Sequence, residues 1–186
     1  MARPPAPPPP PTIPVPEIAL FAGILDKGAK TEDGTLIQAV AIPWFKIIEI
    51  LRKDPAASFQ IPPRQWEEII AGAYVAAGFD EVILTPASGD LGRDVIATKN
   101  GFGSIRIYDQ VKAYKPGHLV TAEEVRAMSG ILQGNVSKGI VTTTSEFAPR
   151  IKDDRILCQL MPHRLELKAG TQLLSWLEEV RAGLPE

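Results

Sequence analysis

The sequence predicts an α/β domain, a mixed central β-sheet flanked by helices. Three observations predict it. Apolar residues recur at helical spacing in two stretches, around 62–77 and 171–180. Between them lie short β-branched runs, at 82–84, 95–97 and 139–144, each close to turn residues. A helix-sized segment separates the strand ending at Lys112 from the one holding Ile140, the pattern of a parallel, right-handed crossover.

Residues 1–16, MARPPAPPPPPTIPVP, read as a disordered or polyproline II tail. A ligand for an aromatic groove and a plain tether are both open readings, and nothing in the tail suggests chemistry. Residues 17–60 read as a helical lead-in: Trp44, Ile47, Ile48 and Leu51 share one helix face, Pro43 suits its first turn, and Pro55 ends it. Asp33-Gly34 is a turn.

Residues 61–186 form the main domain. Pro62-Pro63 opens a helix to about Ala77, with Gly78 after it; Trp66, Ile69, Ile70, Ala73, Tyr74 and Ala77 make its buried stripe. Glu67 falls at the edge of that stripe, and Glu68 nearly opposite, facing water. For Glu67, a lean toward a site and a solvated acid at the helix start are both open. Residues 81–85 read as a strand ended by Pro86. After a hairpin, Thr121 and Glu124 form a capping box for a helix with Val125, Met128 and Leu132 inside. Residues 138–144 read as a buried strand, and Ser145 as the cap of a short helix or turn through Arg150. A further strand is expected at 156–160, making Cys158 a core thiol, and a short one at 165–167. The last helix starts at Thr171.

The formal net charge of −2 provides no global basic field, so a nucleic-acid partner would need a local patch. One cysteine allows no internal disulfide and no cysteine-based zinc site, and two histidines are too few for a zinc hydrolase cluster. The thiol usage fits a reducing cytosol. Residues 1–16 lack the apolar core of a signal peptide, and the apolar run 18–25 is too short to span a bilayer. The expected location is cytoplasmic, with no membrane partner.

Candidate chemistry gathers in residues 88–112, SGDLGRDVIATKNGFGSIRIYDQVK. Gly89 and Gly92 permit an unusual turn into Asp94. In the run 104–112, Ile105, Ile107 and Val111 share one parity, and Arg106, Tyr108, Gln110 and Lys112 the other. A Gly-bearing hairpin turn brings Asp94 beside Gln110 and Lys112. An acid, an amide oxygen and a lysine at one sheet edge suit a hard cation and an attacking water. Arg93, Lys99, Arg106, Lys115 and Lys138 lie near this stretch in sequence; a phosphate-binding patch and a solvated surface are equal readings.

From 62 to 147, the segments PPRQWEE, LTPASGDLGRDVIA, DQVKAY and GIVTTTSEF resemble the nuclease domain of Mrr-type restriction endonucleases, of the PD-(D/E)xK superfamily. The resemblance is sharpest in the GDxGxD turn at 89–94 and the QxK triplet at 110–112. It implies a Mg²⁺-dependent DNA endonuclease, with Mn²⁺ as a substitute. Asp94 would be the principal metal ligand, joined by Gln110 and the backbone carbonyl of Val111. Lys112 would act on the attacking water or on the charge developing at phosphorus. Glu67 would assist through water or a second metal, and Asp90 matches an acid of the turn. Thr143, Thr144 and Ser145 match a polar strand end. A homodimer would allow cuts on both strands, and recognition is open to a specificity partner protein. Two other readings stay open: a non-catalytic DNA- or protein-binding module on the same fold, and an RNA or structure-specific nuclease.

Overall fold

A computed structural model describes residues 23–87 and 92–184. The proline-rich tail at 1–16 lies outside them, as does Asp90. Among the described residues, seven strands form one mixed sheet in the order β1-β2-β3-β4-β5-β7-β9. They are β1 (Leu25–Lys30), β2 (Thr35–Val40), β3 (Glu81–Leu84), β4 (Val95–Lys99), β5 (Ile105–Lys112), β7 (Lys138–Thr143) and β9 (Leu165–Lys168). The first five pair antiparallel in succession, whereas β5, β7 and β9 run parallel. The parallel step from β5 to β7 is the crossover expected from the sequence, and its helix is α3 (Ala122–Ile131). Thr121 caps α3 through Glu124, in the capping box that the spacing predicts.

One face of the sheet is covered by α1 (Ile42–Lys53), α2 (Pro63–Ala76) and α5 (Gly170–Ala182). Trp44, Trp66, Ile69, Ile70, Leu173 and Leu177 pack there with Val95 and Ala97. Burying an indole strands its N–H unless it finds an acceptor. Trp44 therefore donates to the Ile69 carbonyl at 2.9 Å, and Trp66 to the Ser58 carbonyl at 3.0 Å. The other face carries α3 and the one-turn α4 (Leu157–Leu160), with Val125, Met128, Val141, Leu157 and Leu165 at its centre.

Four expectations are corrected. The stretch 17–60 is not purely helical, because β1 and β2 precede α1 and extend the sheet through β3. In β1, Asp26, Lys27 and Lys30 are exposed, so no apolar alternation marks the strand. Residues 156–160 form a turn and α4 rather than a strand, because the Asp154 carboxylate accepts the N–H groups of Ile156 and Leu157 at 3.0 and 3.1 Å. Cys158 is consequently exposed and is not a core thiol. Ser145 opens no helix; β8 (Glu146–Phe147) follows it and pairs in parallel with β6 (Leu119–Val120).

Candidate metal and phosphodiester site

The end of the β4–β5 hairpin is set by register. Val95 pairs with Asp109, and one step further places Asp94 opposite Gln110. The Asp94 N–H donates to the Asp109 carbonyl at 2.9 Å, and the Asp94 carboxylate accepts the Val111 N–H at 2.6 Å. A side-chain oxygen thus continues the ladder where β4 has no residue left to offer. Asp94 and Gln110 are each 8% exposed.

Backbone groups alternate direction along a strand. The Lys112 carbonyl points toward β7, where it accepts the Thr143 hydroxyl at 2.8 Å and the Thr144 N–H at 3.3 Å. The Val111 carbonyl therefore points the opposite way, toward Asp94. The Thr144 hydroxyl donates to the Tyr114 carbonyl at 2.8 Å, so Thr144 braces the exit of β5. On the entry side, Gly92 has φ +78°, and a Cβ there would lie 3.1 Å from Gln110 Nε2. The turn into Asp94 thus needs both the left-handed backbone and the missing side chain.

The donor set fits a hard divalent ion. Gln110 Oε1 is buried and has no hydrogen-bond partner among the described residues, a costly state for an amide oxygen unless a cation takes it. Together with the Asp94 carboxylate and the Val111 carbonyl it offers oxygen donors only, which suits Mg²⁺ or Mn²⁺ rather than zinc. No three His, Cys, Asp or Glu side chains converge among the described residues, so acidic density is low.

Glu67 lies on α2 and pairs with Arg64 one turn earlier. Arg64 also donates to the Thr85 carbonyl at 2.9 Å, and the Thr85 N–H donates to the Asp94 carbonyl at 3.0 Å. Glu67 thereby connects through Arg64 to the strand end that carries Asp94. Glu68 does not simply face water, because Lys27 of β1 pairs with it at 2.7 Å.

The expected basic patch is dispersed. Lys99 donates to the Gly78 carbonyl, and Lys138 pairs with Glu166 at 2.5 Å. Both sit at the end of the sheet remote from Gln110 and Lys112, since Lys99 pairs with Ile105 and Lys138 with Ile107. Lys115 is exposed in the loop after β5, near the site. Arg93 adjoins Asp94 and lies 5.3 Å from the Tyr108 ring centre.

Three polar residues escape the sequence reading. Arg64 is visible only as an i,i+3 partner of Glu67. Asp33, read as a turn residue, pairs with both Arg93 and Arg106. Asp109 is fully buried and accepts the Tyr74 hydroxyl at 2.8 Å. Burial pushes its pKa up to about 6, against the pull of Lys168 and the Tyr74 hydrogen bond. Its sequence signal is an acid sharing parity with Ile107 and Val111, the apolar face of β5.

A cavity of about 440 Å³ opens near the ends of β5 and β7, lined by Phe59, Trp66, Leu119, Thr144 and Leu174. Its largely apolar walls suit neither a phosphate nor a metal.

A family model described as a restriction endonuclease, Mrr_cat, matches residues 59–177. No curated protein matches the chain. Two similar solved structures are the MspJI restriction endonuclease in complex with a 27-mer oligonucleotide and the DNA modification-dependent restriction endonuclease AspBHI. The first is 19% identical, with 75% of this chain and 31% of that one covered and a TM-score of 0.46. The second is 20% identical, with 78% and 42% covered and a TM-score of 0.47. The chain spans less than half the length of either.

Proposed function

Since the chain belongs to the Mrr-type restriction endonuclease family, we propose that it is a divalent-metal-dependent endonuclease that hydrolyses DNA phosphodiester bonds. The observation that carries this reading is the pairing of Asp94 with Gln110 across the hairpin end, the Gln110 amide oxygen being buried without a partner among the described residues. Asp94, Gln110 and the Val111 carbonyl would hold Mg²⁺, with Mn²⁺ as a substitute.

When bound, such an ion supplies Lewis-acid stabilisation of charge on phosphoryl oxygens and lowers the pKa of a coordinated water. The chain's own residues do the rest. Lys112, two residues beyond Gln110 on the same face, would place an ammonium against the pentacovalent transition state, where charge on the oxygens is greatest. Water oxygen bonds to phosphorus as its proton leaves to solvent, the bond to the leaving oxygen breaks, and that oxygen takes up a proton from solvent. Glu67, tied to the strand end through Arg64 and Thr85, would order the attacking water. Thr143 and Thr144 would keep the Lys112 backbone in register. A homodimer would cut both strands of a duplex, and base recognition is assigned to an oligomer or a partner protein.

The test is nicking of supercoiled plasmid, methylated and unmethylated, with Mg²⁺ or Mn²⁺. Metal-dependent cleavage that disappears in Asp94→Ala and in Lys112→Ala is the expected result. Cleavage surviving both substitutions would place the chemistry elsewhere.

A further inference from the structure

Asp33 lies in the turn between β1 and β2, outside the matched family segment. Three hydrogen bonds close that turn: the Thr31 N–H and hydroxyl donate to the Gly34 carbonyl at 2.6 and 3.1 Å, and the Gly34 N–H donates to the Thr31 hydroxyl at 3.2 Å. Gly34 has φ +154°, and a Cβ there would stand 2.3 Å from the Leu84 carbonyl oxygen. Only glycine lets the turn lie so close to the end of β3. That approach delivers Asp33 to two arginines of the hairpin.

One Asp33 oxygen meets Arg93 Nη2 at 3.3 Å, and the other meets Arg106 Nη2 at 3.0 Å. Both guanidinium groups flank the Tyr108 ring, at 5.3 and 5.7 Å from its centre. Tyr108 precedes Gln110 by two residues on the same face of β5, about 6–7 Å along the strand. The arginine pair therefore adjoins the proposed centre.

Two guanidinium groups against one carboxylate leave an excess of one positive charge. The Nε atoms of Arg93 and Arg106 are both buried without a hydrogen-bond partner among the described residues. A guanidinium offers five donors, and Asp33 engages one nitrogen of each. The geometry is that of an oxyanion site served by a stand-in.

We propose that Asp33 occupies the place of a backbone phosphate. It holds Arg93 and Arg106 over Tyr108 in the free protein and yields them to the nucleic-acid phosphate next to the one being cleaved. This rests on the reading of the chain as a DNA endonuclease. Asp33 then opposes non-specific binding, because DNA must displace an internal carboxylate before it gains both arginines.

The experiment measures affinity of a short fluorescein-labelled duplex by anisotropy, in EDTA to block cleavage, over a salt series. It compares wild type, Asp33→Asn, the double variant Arg93→Gln/Arg106→Gln, and the triple variant. Asp33→Asn is expected to bind about fivefold more tightly, the size of one exposed ion pair. Its slope of log affinity against log salt should steepen by about one, as one more phosphate is fully neutralised. In the arginine-less background the same substitution should change little, since its target is gone.

Equal or weaker binding by Asp33→Asn, with thermal unfolding unchanged, would overturn the proposal and make Asp33 a mere hairpin tie. Equal tightening without the arginines would overturn it too, as a bulk charge effect. Should Asp33→Asn unfold early, Asp33→Ser is held to the same criteria. The parent reading is judged separately, by plasmid nicking and its loss in Asp94→Ala. If nicking is intact and the Asp33 criteria fail, only this proposal falls; if wild type neither binds nor nicks DNA, both do.

Discussion

In the proposed metal site, Gln110 would contribute an amide where a carboxylate would give a second negative charge. The missing charge weakens attraction for a divalent ion, so half-maximal nicking is expected at roughly millimolar Mg²⁺. Gln110→Glu should lower that requirement by about tenfold, the size of one added charge contact between roughly one and two kcal/mol. A Mg²⁺ titration of nicking reads it, and an unchanged or higher requirement would remove Gln110 from the ligand set. Gly92 is the second lever. Its φ of +78° disfavours any Cβ by about 1–2 kcal/mol, and that Cβ would press on Gln110 Nε2 at 3.1 Å. Gly92→Ala should therefore lose nicking activity and also melt earlier; full activity would show that the turn tolerates displacement. Both residues stand out in the sequence because turn glycines and strand parity are local signals. Asp33 does not, since its meeting with Arg93 and Arg106 depends on a hairpin packing against β3 from far along the chain.

At the scale of elements, α2 and β5 are joined across the core by the Tyr74–Asp109 hydrogen bond of 2.8 Å. Tyr74→Phe leaves the fully buried Asp109 short of a donor, and about 1–3 kcal/mol of stability should be lost in urea unfolding. Asp109 also links stability to pH. Its carboxyl keeps its proton up to about pH 6 in the folded chain, whereas an unfolded one releases it near the ordinary aspartate value of 3.8. Between those values the folded state binds more protons, so this group's contribution falls as pH rises and levels off above about 6. Asp109→Asn should flatten that segment of the stability profile; a slope as steep as wild type would assign it to another group. The elements themselves were unequally legible. The hairpin, the capped α3 and the crossover follow from alternation, a capping box and segment length. β1 does not, because a strand with exposed Asp26, Lys27 and Lys30 carries no period that a core imposes. The run at 156–160 misled for the opposite reason, its apolar residues outweighing the Asp154 cap.

For the molecule as a whole, metal and fold should be separable. Two packed cores, one on each face of the sheet, hold the domain together, and among the described residues no cluster of three acidic, histidine or cysteine ligands ties elements to one another. EDTA should abolish nicking yet shift the melting temperature by no more than a degree or so; a large drop would make the ion structural. The sheet has a further consequence through its edge. Among the described residues β1 is an outer strand, and its pairing with β2 is broken by register shifts after Asp26 and after Lys27. Charged side chains and an irregular ladder are the features by which natural edge strands refuse a neighbour. Copies of this chain should therefore not associate by joining sheets at β1 into one continuous ribbon. A symmetric pair of the proposed nuclease would instead meet through helices, loops or the β9 edge, and at any of these each hairpin end would stay clear of the β1 strand.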